Sequence, residues 1–254
     1  MQPWRLAELN LKAIRERAWQ VAVLPIGATE PHNLHLPYAT DNFQVEAICD
    51  RACEQATERG GRVVLLPTVP YGSDSNQMSF PLCMDVRPST LGLLITDLVR
   101  SCERHGVRKF VLVNGHGGNE FKPLLRELYG RTEVFVSLVN WWTLLADAHG
   151  EIFAHPGEHA DEMETSLILQ LRPDLVSLAD ADEGAVRPSR FEAINRGWVS
   201  ITRPWERLTT NSGHGYPHES TAEKGARALE LVTERLAKFL AELSASPLDA
   251  TFPF

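Results

Sequence analysis

Four short, Val-rich apolar runs set the tightest limit on what this chain can fold into: Val21-Ala-Val-Leu-Pro-Ile-Gly27, Val63-Val-Leu-Leu-Pro67, Phe110-Val-Leu-Val-Asn-Gly115 and Val134-Phe-Val-Ser-Leu-Val139. Each is short, and none alternates with polar residues, which is the pattern of a strand covered on both faces. Between and after them, apolar residues recur at helical spacing near 42–59, 89–105, 119–130, 160–171 and 219–244. The last helix begins at Ser220-Thr-Ala-Glu223, where a Ser three residues before a Glu has the form of a capping box. Strand alternating with helix, with connections long enough for crossovers, predicts an α/β fold: a mostly parallel central sheet with helices on both faces. Pro and Gly punctuate 180–218 without clear periodicity, which predicts an irregular excursion over the sheet edge or the site. No repeat or low-complexity segment divides the chain, so residues 1–254 are expected to form a single domain.

The formal net charge is -8. An acidic chain is a poor partner for a phosphate backbone, so the expected partner is a small molecule and not nucleic acid. No apolar run is long enough to span a bilayer, and the first twenty residues mix charged with apolar types, so no membrane partner is expected and the cytoplasm is the expected location. The four cysteines, Cys49, Cys53, Cys83 and Cys102, form no CxxC pair and are expected as buried thiols.

In an open parallel sheet, ligands collect beyond the carboxyl ends of the strands. The polar clusters fall there: Thr29-Glu-Pro-His32 after the first strand, Tyr71-Gly-Ser73 after the second, Gly115-His-Gly-Gly-Asn119 after the third, and Gly157-Glu-His159 before the helix that follows the fourth. Extended backbone points Glu30 and His32 to the same side. Asp41 returns at the start of a helix, where its two oxygens could bridge two cations; mixed nitrogen and oxygen donors suit Zn²⁺ or Mn²⁺. His116 sits in a turn whose small neighbours permit close approach of backbone and metal. That turn could instead be an anion-binding nest, although phosphate loops usually add a Lys. In Gly157-Glu-His-Ala-Asp-Glu-Met-Glu-Thr-Ser166, acids crowd one another and would repel unless a cation neutralised them. On a helix Glu164 shares the face of Leu167, Ile168 and Leu171, whereas Glu162 aligns with Ser166, and either could be a ligand. The alternative for this cluster is a solvated acidic helix start.

Taken together, Glu30-x-His32, His35-Leu-Pro, Asp41, Asn114-Gly-His-Gly-Gly-Asn119, His159-Ala-Asp-Glu-x-Glu-Thr-Ser166 and Ala222-Glu-Lys-Gly225 resemble the creatininase (creatinine amidohydrolase) family, over about residues 20–230. The resemblance implies a three-layer α/β/α subunit, assembled as a homo-oligomer, usually a hexamer. It also implies two divalent ions per subunit, Zn or Mn, which activate water for hydrolysis of cyclic or linear amides. By motif, Glu30, His32, Asp41 and His116 would be metal ligands, with Asp41 bridging. Creatininase takes its next ligand from a Glu two residues after the turn His; here that residue is Gly118, and the resemblance puts Glu162 in its place, ahead of Glu164. His159 would donate the leaving-group proton, with Glu158 beside it to orient it or hold substrate.

Departures from the family pattern bear on the substrate. His155 stands where creatininase has a lid Trp, Pro31 and Asn33 replace the usual Gln and Gly, and Asn76-Gln77 replaces Glu-His. These point away from creatinine itself. Tyr71, Ser73, Ser75 and Trp142 are the expected substrate contacts. Neutral amides suit a hydroxyl- or carbonyl-rich ligand, so a second reading is opening of an oxidised cyclitol ring such as 3-dehydro-scyllo-inosose by C–C cleavage. A metal-binding sensor or structural protein is the non-enzymatic alternative.

Overall fold

The protein was described from a computed structural model covering residues 2–254. The four apolar runs form the strands β1 (Val21–Ile26), β2 (Val63–Leu65), β3 (Lys109–Asn114) and β4 (Phe135–Asn140), all parallel and ordered β2-β1-β3-β4. The layers are built from α1 (Thr40–Glu58), α2 (Pro88–Arg104), α3 (Lys122–Leu128), α4 (Glu162–Leu171) and α5 (Ala222–Ala245). This is the predicted mixed α/β architecture with a parallel central sheet.

Alternation along the strands divides the core in two. Val21, Val23, Val111 and Val113 face α1 and α5, where Val45, Ile48, Leu229, Val232 and Leu236 complete one apolar layer. Ala22, Leu24, Ile26, Phe110 and Leu112 face the other way, onto Leu91, Ile95 and Val99 of α2 and Leu124 and Leu128 of α3. Cys49 and Cys53 lie in the first layer, where burial pushes both thiols up and keeps them protonated. Unlike the other three strands, β4 is only partly buried along its length; it pairs with β3 alone and forms one edge of the sheet, with β2 at the other.

The cap of α5 falls one residue later than the sequence pattern suggests. The Ser220 hydroxyl is turned to the carbonyls of Pro217 and Glu162, and Thr221 instead accepts from the Lys224 N–H. At the start of α5, Gly225 packs against α4 so closely that a Cβ would stand 2.0 Å from the Ser166 carbonyl oxygen. A backbone oxygen inside a helix cannot step aside, so the overlap outweighs the roughly 1 kcal/mol that Ala gains over Gly in a helix. Gly225→Ala is expected to lower the melting temperature by roughly 3–6 °C, the equivalent of about 1.5 kcal/mol in a chain of this size. Differential scanning calorimetry checks this; an unchanged or raised midpoint refutes it.

The 180–218 excursion returns across the carboxyl end of the sheet. Asn33 anchors it, donating through Nδ2 to Asp182 Oδ1 at 2.9 Å and through its backbone N–H to Ser212 Oγ at 2.8 Å. Asn33 has φ 54°, in the left-handed region that Asn enters more readily than other side chains, which explains how it stands where a Gly is usual.

Candidate metal centre and catalytic cavity

The segments that follow β1, β2 and β3 each deliver one part of the site. Glu30 and His32 follow β1, Asp41 is the second residue of α1, Asp74 follows β2, and His116 follows β3; all are buried. His159 and Glu164 enter from the segment that opens α4.

The three imidazoles share one arrangement. His32 Nδ1 lies 3.1 Å from the Glu30 carbonyl, His116 Nε2 lies 3.2 Å from the Ser73 carbonyl, and His159 Nε2 lies 2.8 Å from the Pro31 carbonyl. A carbonyl oxygen only accepts, so each of these nitrogens carries the proton, and the other ring nitrogen presents its lone pair. Those lone pairs face carboxylates. His32 Nε2 is 3.1 Å from Asp41 Oδ1 and 3.8 Å from Glu164 Oε2; His116 Nδ1 is 2.8 Å from Glu30 Oε1 and 3.0 Å from Asp41 Oδ2. His159 Nδ1 stands 3.7 Å from Glu30 Oε1.

Acceptors aimed at acceptors are unstable in a buried site unless a cation lies between them. Glu30 Oε1, Asp41 Oδ2 and both oxygens of Asp74 are buried with no hydrogen-bond donor. Burial pushes Glu30 up to about 7, against the pull of His116, and Glu164 up to about 8, against that of His32. Burial opposes charge on His32 as well, yet Asp41 and Glu164 draw the imidazole up to about 10. Without a cation, then, this cluster holds itself together with protons. Divalent ions would displace those protons, and the donor set of imidazole nitrogen and carboxylate oxygen fits Zn²⁺ or Mn²⁺. The donors form groups able to hold a metal: His32, Asp41 and Glu164; Glu30, Asp74 and His116; and Glu30, His32 and His159.

Of the two α4 glutamates, Glu164 reaches this cluster. Glu162, the residue favoured by the motif comparison, points the opposite way: it accepts from the N–H groups of Ala154 and His155 at 2.9 and 2.8 Å and pairs with Lys224. A Glu at position 118 has no room, since a Cβ there would meet His116 Nε2 at 2.3 Å and the Ser73 carbonyl at 2.4 Å.

Beside the cluster opens a cavity of about 930 Å³. Of the four expected substrate contacts, Ser73, Ser75 and Trp142 line it, whereas Tyr71 is half-exposed and lies outside the lining. Gln77 reaches the cavity, but its amide donates to Glu30 Oε2 and so fixes a cluster carboxylate. Glu158 does not orient His159. Its carboxylate accepts from Arg203 Nη2 at 2.6 Å and faces His214 Nδ1 at 3.4 Å, and these contacts hold it down to about 2. Arg203 in turn lies over the Trp205 ring, so the excursion supplies the cavity's far wall. Asp74 and Arg203 are the site residues that sequence reasoning did not place; Asp74 lies between two flagged serines, but one Asp in a polar loop carries no distinguishing pattern.

Residues 7–240 match a family model described as creatininase, creatinine amidohydrolase. A creatinine amidohydrolase of Pseudomonas putida is 34% identical over 62% of this chain and 66% of that protein. A mycofactocin precursor peptide peptidase of Mycobacterium ulcerans is 28% identical over 90% of this chain and 88% of its own length. A 3-dehydro-scyllo-inosose hydrolase of Thermotoga maritima is 27% identical over 66% of this chain and 56% of that protein. Among solved structures, a Bacteroides fragilis protein named for creatinine amidohydrolase superposes with a TM-score of 0.91 at 34% identity, covering 98% of this chain and 99% of its own. A manganese creatininase superposes at 0.79 with 26% identity, over 96% and 99% of the two chains.

Proposed function

The chain belongs to the creatininase family of hydrolases, and from that premise we propose that it cleaves an amide C–N bond with two divalent ions, Zn or Mn, held by Glu30, His32, Asp41, His116 and Glu164. The observation that carries this reading is Asp41: one of its oxygens faces His32 and the other faces His116, and each imidazole has its remaining nitrogen committed to a backbone carbonyl. One carboxylate between two such nitrogens gives two cation seats that share a ligand. Glu164 is the fifth ligand in this proposal because it faces the His32 seat, whereas Glu162 is occupied by Lys224.

Two bound ions would lower the pKa of water and polarise the substrate carbonyl. The chain's own contribution is orientation and proton handling. His159 is held neutral, its ionisation pushed well down by burial and by His32, and Nε2 is fixed on the Pro31 carbonyl. The nitrogen left to take a proton and pass it to the leaving amine is therefore Nδ1, on the Glu30 side. Glu158 and Arg203 stand at the cavity wall, where they can hold a polar substrate group.

The cavity is far larger than a creatinine-sized ring requires, and Trp142, Met163 and Trp205 give it apolar wall, so the proposed substrate is a bulkier cyclic or linear amide, with short peptides included. Ser73, Ser75 and Asn76 at the same wall favour, as second reading, a carbonyl- and hydroxyl-rich ring such as an oxidised cyclitol opened by C–C cleavage. A cytoplasmic homo-oligomer, a hexamer by family resemblance, completes the proposal. Exposed Phe191, Trp198, Val199 and Ile201 on the excursion support a subunit contact beside the cavity, and no helix among the described residues is long and apolar enough to cross a membrane.

The test is a screen of Zn- and Mn-loaded protein against lactams, formamides, short peptides and oxidised inositols, with metal content measured by mass spectrometry. Two ions per chain and turnover of an amide are expected. Turnover confined to inositols selects the second reading, and turnover that survives complete demetallation refutes both.

A further inference from the structure

Asp74 is a buried carboxylate with no assigned work. Its side chain is fully buried, and both oxygens lack a hydrogen-bond donor. Among the described residues its one charged partner is His116, whose Nε2 lies 3.0 Å from Oδ1. The backbone holds Asp74 in place: its N–H donates to Asp85 Oδ1 at 2.8 Å, and its carbonyl accepts from the Gln77 N–H at 2.8 Å. Gly118 closes over the same edge of the ring, leaving no space for a side chain or a rotated imidazole.

We propose that Asp74 is a positioning residue that holds His116 from the edge opposite the ion seats, so that Nδ1 stays aimed between Glu30 and Asp41 and binds the ion more tightly. This rests on the two-ion reading above. An imidazole that gives one nitrogen to a cation becomes a stronger donor at the other, and a carboxylate there fixes the ring and raises its basicity. Here Nε2–H donates to the Ser73 carbonyl at 3.2 Å and has the Asp74 Oδ1 charge 3.0 Å away, so one hydrogen bond and one close charge hold the ring at its outer edge. Charge favours the same role. Glu30, Asp41, Glu164 and Asp74 would bring four negative charges to one buried cluster, and two dications would balance them. Asp74 also lies within ligand distance of Glu30 and His116. However, it sits on the ring nitrogen that already donates to Ser73, with the imidazole between it and Asp41.

The test compares the full-length protein with Asp74→Asn, which keeps the shape and removes the charge. Zn²⁺ affinity is read by competition with a chromogenic chelator, ion stoichiometry by mass spectrometry, and the melting point of the metal-free form by calorimetry. The expected result is a 10–100-fold weaker Zn²⁺ dissociation constant, the usual cost of losing such a partner. Two ions should still bind at saturation, with a metal-free melting point no lower than that of the unaltered protein, because Asn keeps the shape and its amide oxygen can still face His116 Nε2. A purely structural residue would lower both affinity and metal-free stability. Affinity within twofold of the original, saturation at one ion, or a metal-free melting point that falls with the affinity overturns the proposal. If Asp74→Asn does not fold, Asp74→Ser is read by the same criteria. An unaltered protein that binds neither Zn²⁺ nor Mn²⁺ removes the two-ion reading and this one with it, whereas an ion-binding protein indifferent to Asp74→Asn removes this one alone.

Discussion

Asp41→Ala is expected to abolish hydrolysis, lowering kcat/KM by on the order of 10³-fold or more, equivalent to about 4 kcal/mol of lost transition-state stabilisation. Asp41 is the carboxylate that meets both His32 and His116, each through a different oxygen. No other carboxylate approaches both imidazoles as closely: Glu30 stands nearest His116 and His159, and Glu164 nearest His32. Truncation would therefore open both proposed ion seats at once and leave two lone pairs facing empty space. It would also remove the group that draws His32 toward its charged form. Chelation of the unaltered protein should reproduce the loss, and added Zn²⁺ or Mn²⁺ should restore activity there but not in Asp41→Ala. Comparing metal content with rate separates two outcomes. A variant that keeps both ions and full activity would show that Asp41 does not join the seats.

Lys224→Met should destabilise the fold without emptying the proposed ion seats. Lys224, at the start of α5, pairs with Glu162, which is fully buried on α4, and Glu162 also collects the N–H groups of Ala154 and His155. Removing the ammonium leaves a buried carboxylate with two amide donors and no countercharge. Losing one partner of a buried pair costs about 3–5 kcal/mol. Lys224 keeps a quarter of its side chain in solvent, so about 3 kcal/mol is the appropriate figure, or roughly 6–12 °C in melting temperature. Adding Glu162→Gln to Lys224→Met should recover part of that loss, because the stranded charge is gone. The same calorimetry with metal analysis distinguishes the two glutamates: Glu162→Gln should retain both ions and Glu164→Gln should lose one. The reverse pattern would return Glu162 to the ligand set.

The sheet was legible from sequence because a strand buried on both faces must be largely apolar, as 21–26, 63–65 and 109–114 are; the run at 135–140 has the same composition although its strand is only partly buried. Helix ends were less legible. Thr221 and Ser220 are chemically near-equivalent caps, and the choice between them depends on the Glu162 and Pro217 carbonyls that Ser220 meets instead. Gln77 looked like a substrate contact because an amide in a loop suits a polar ligand, yet its partner is Glu30, forty-seven residues earlier in the chain.

By itself the sequence determined the alternation of strands and helices, the end of the sheet at which the polar loops gather, and that Glu30, His32, Asp41, His116 and His159 would be carried there. These follow from local period and from the rule that parallel strands place their following loops on one side. Only the tertiary structure set Glu164 beside His32 and Glu162 beside Lys224, brought Asp74 against His116, and swung Arg203 across the cavity to take Glu158. A carboxylate two positions along a helix is turned by about 200° about its axis, so sequence spacing fixes their difference in direction. Which of the two meets the histidine–carboxylate cluster and which meets a lysine depends on how α4 is rotated against α1 and α5. That rotation is set by contacts such as Gly225 against Ser166, between residues far apart in the chain.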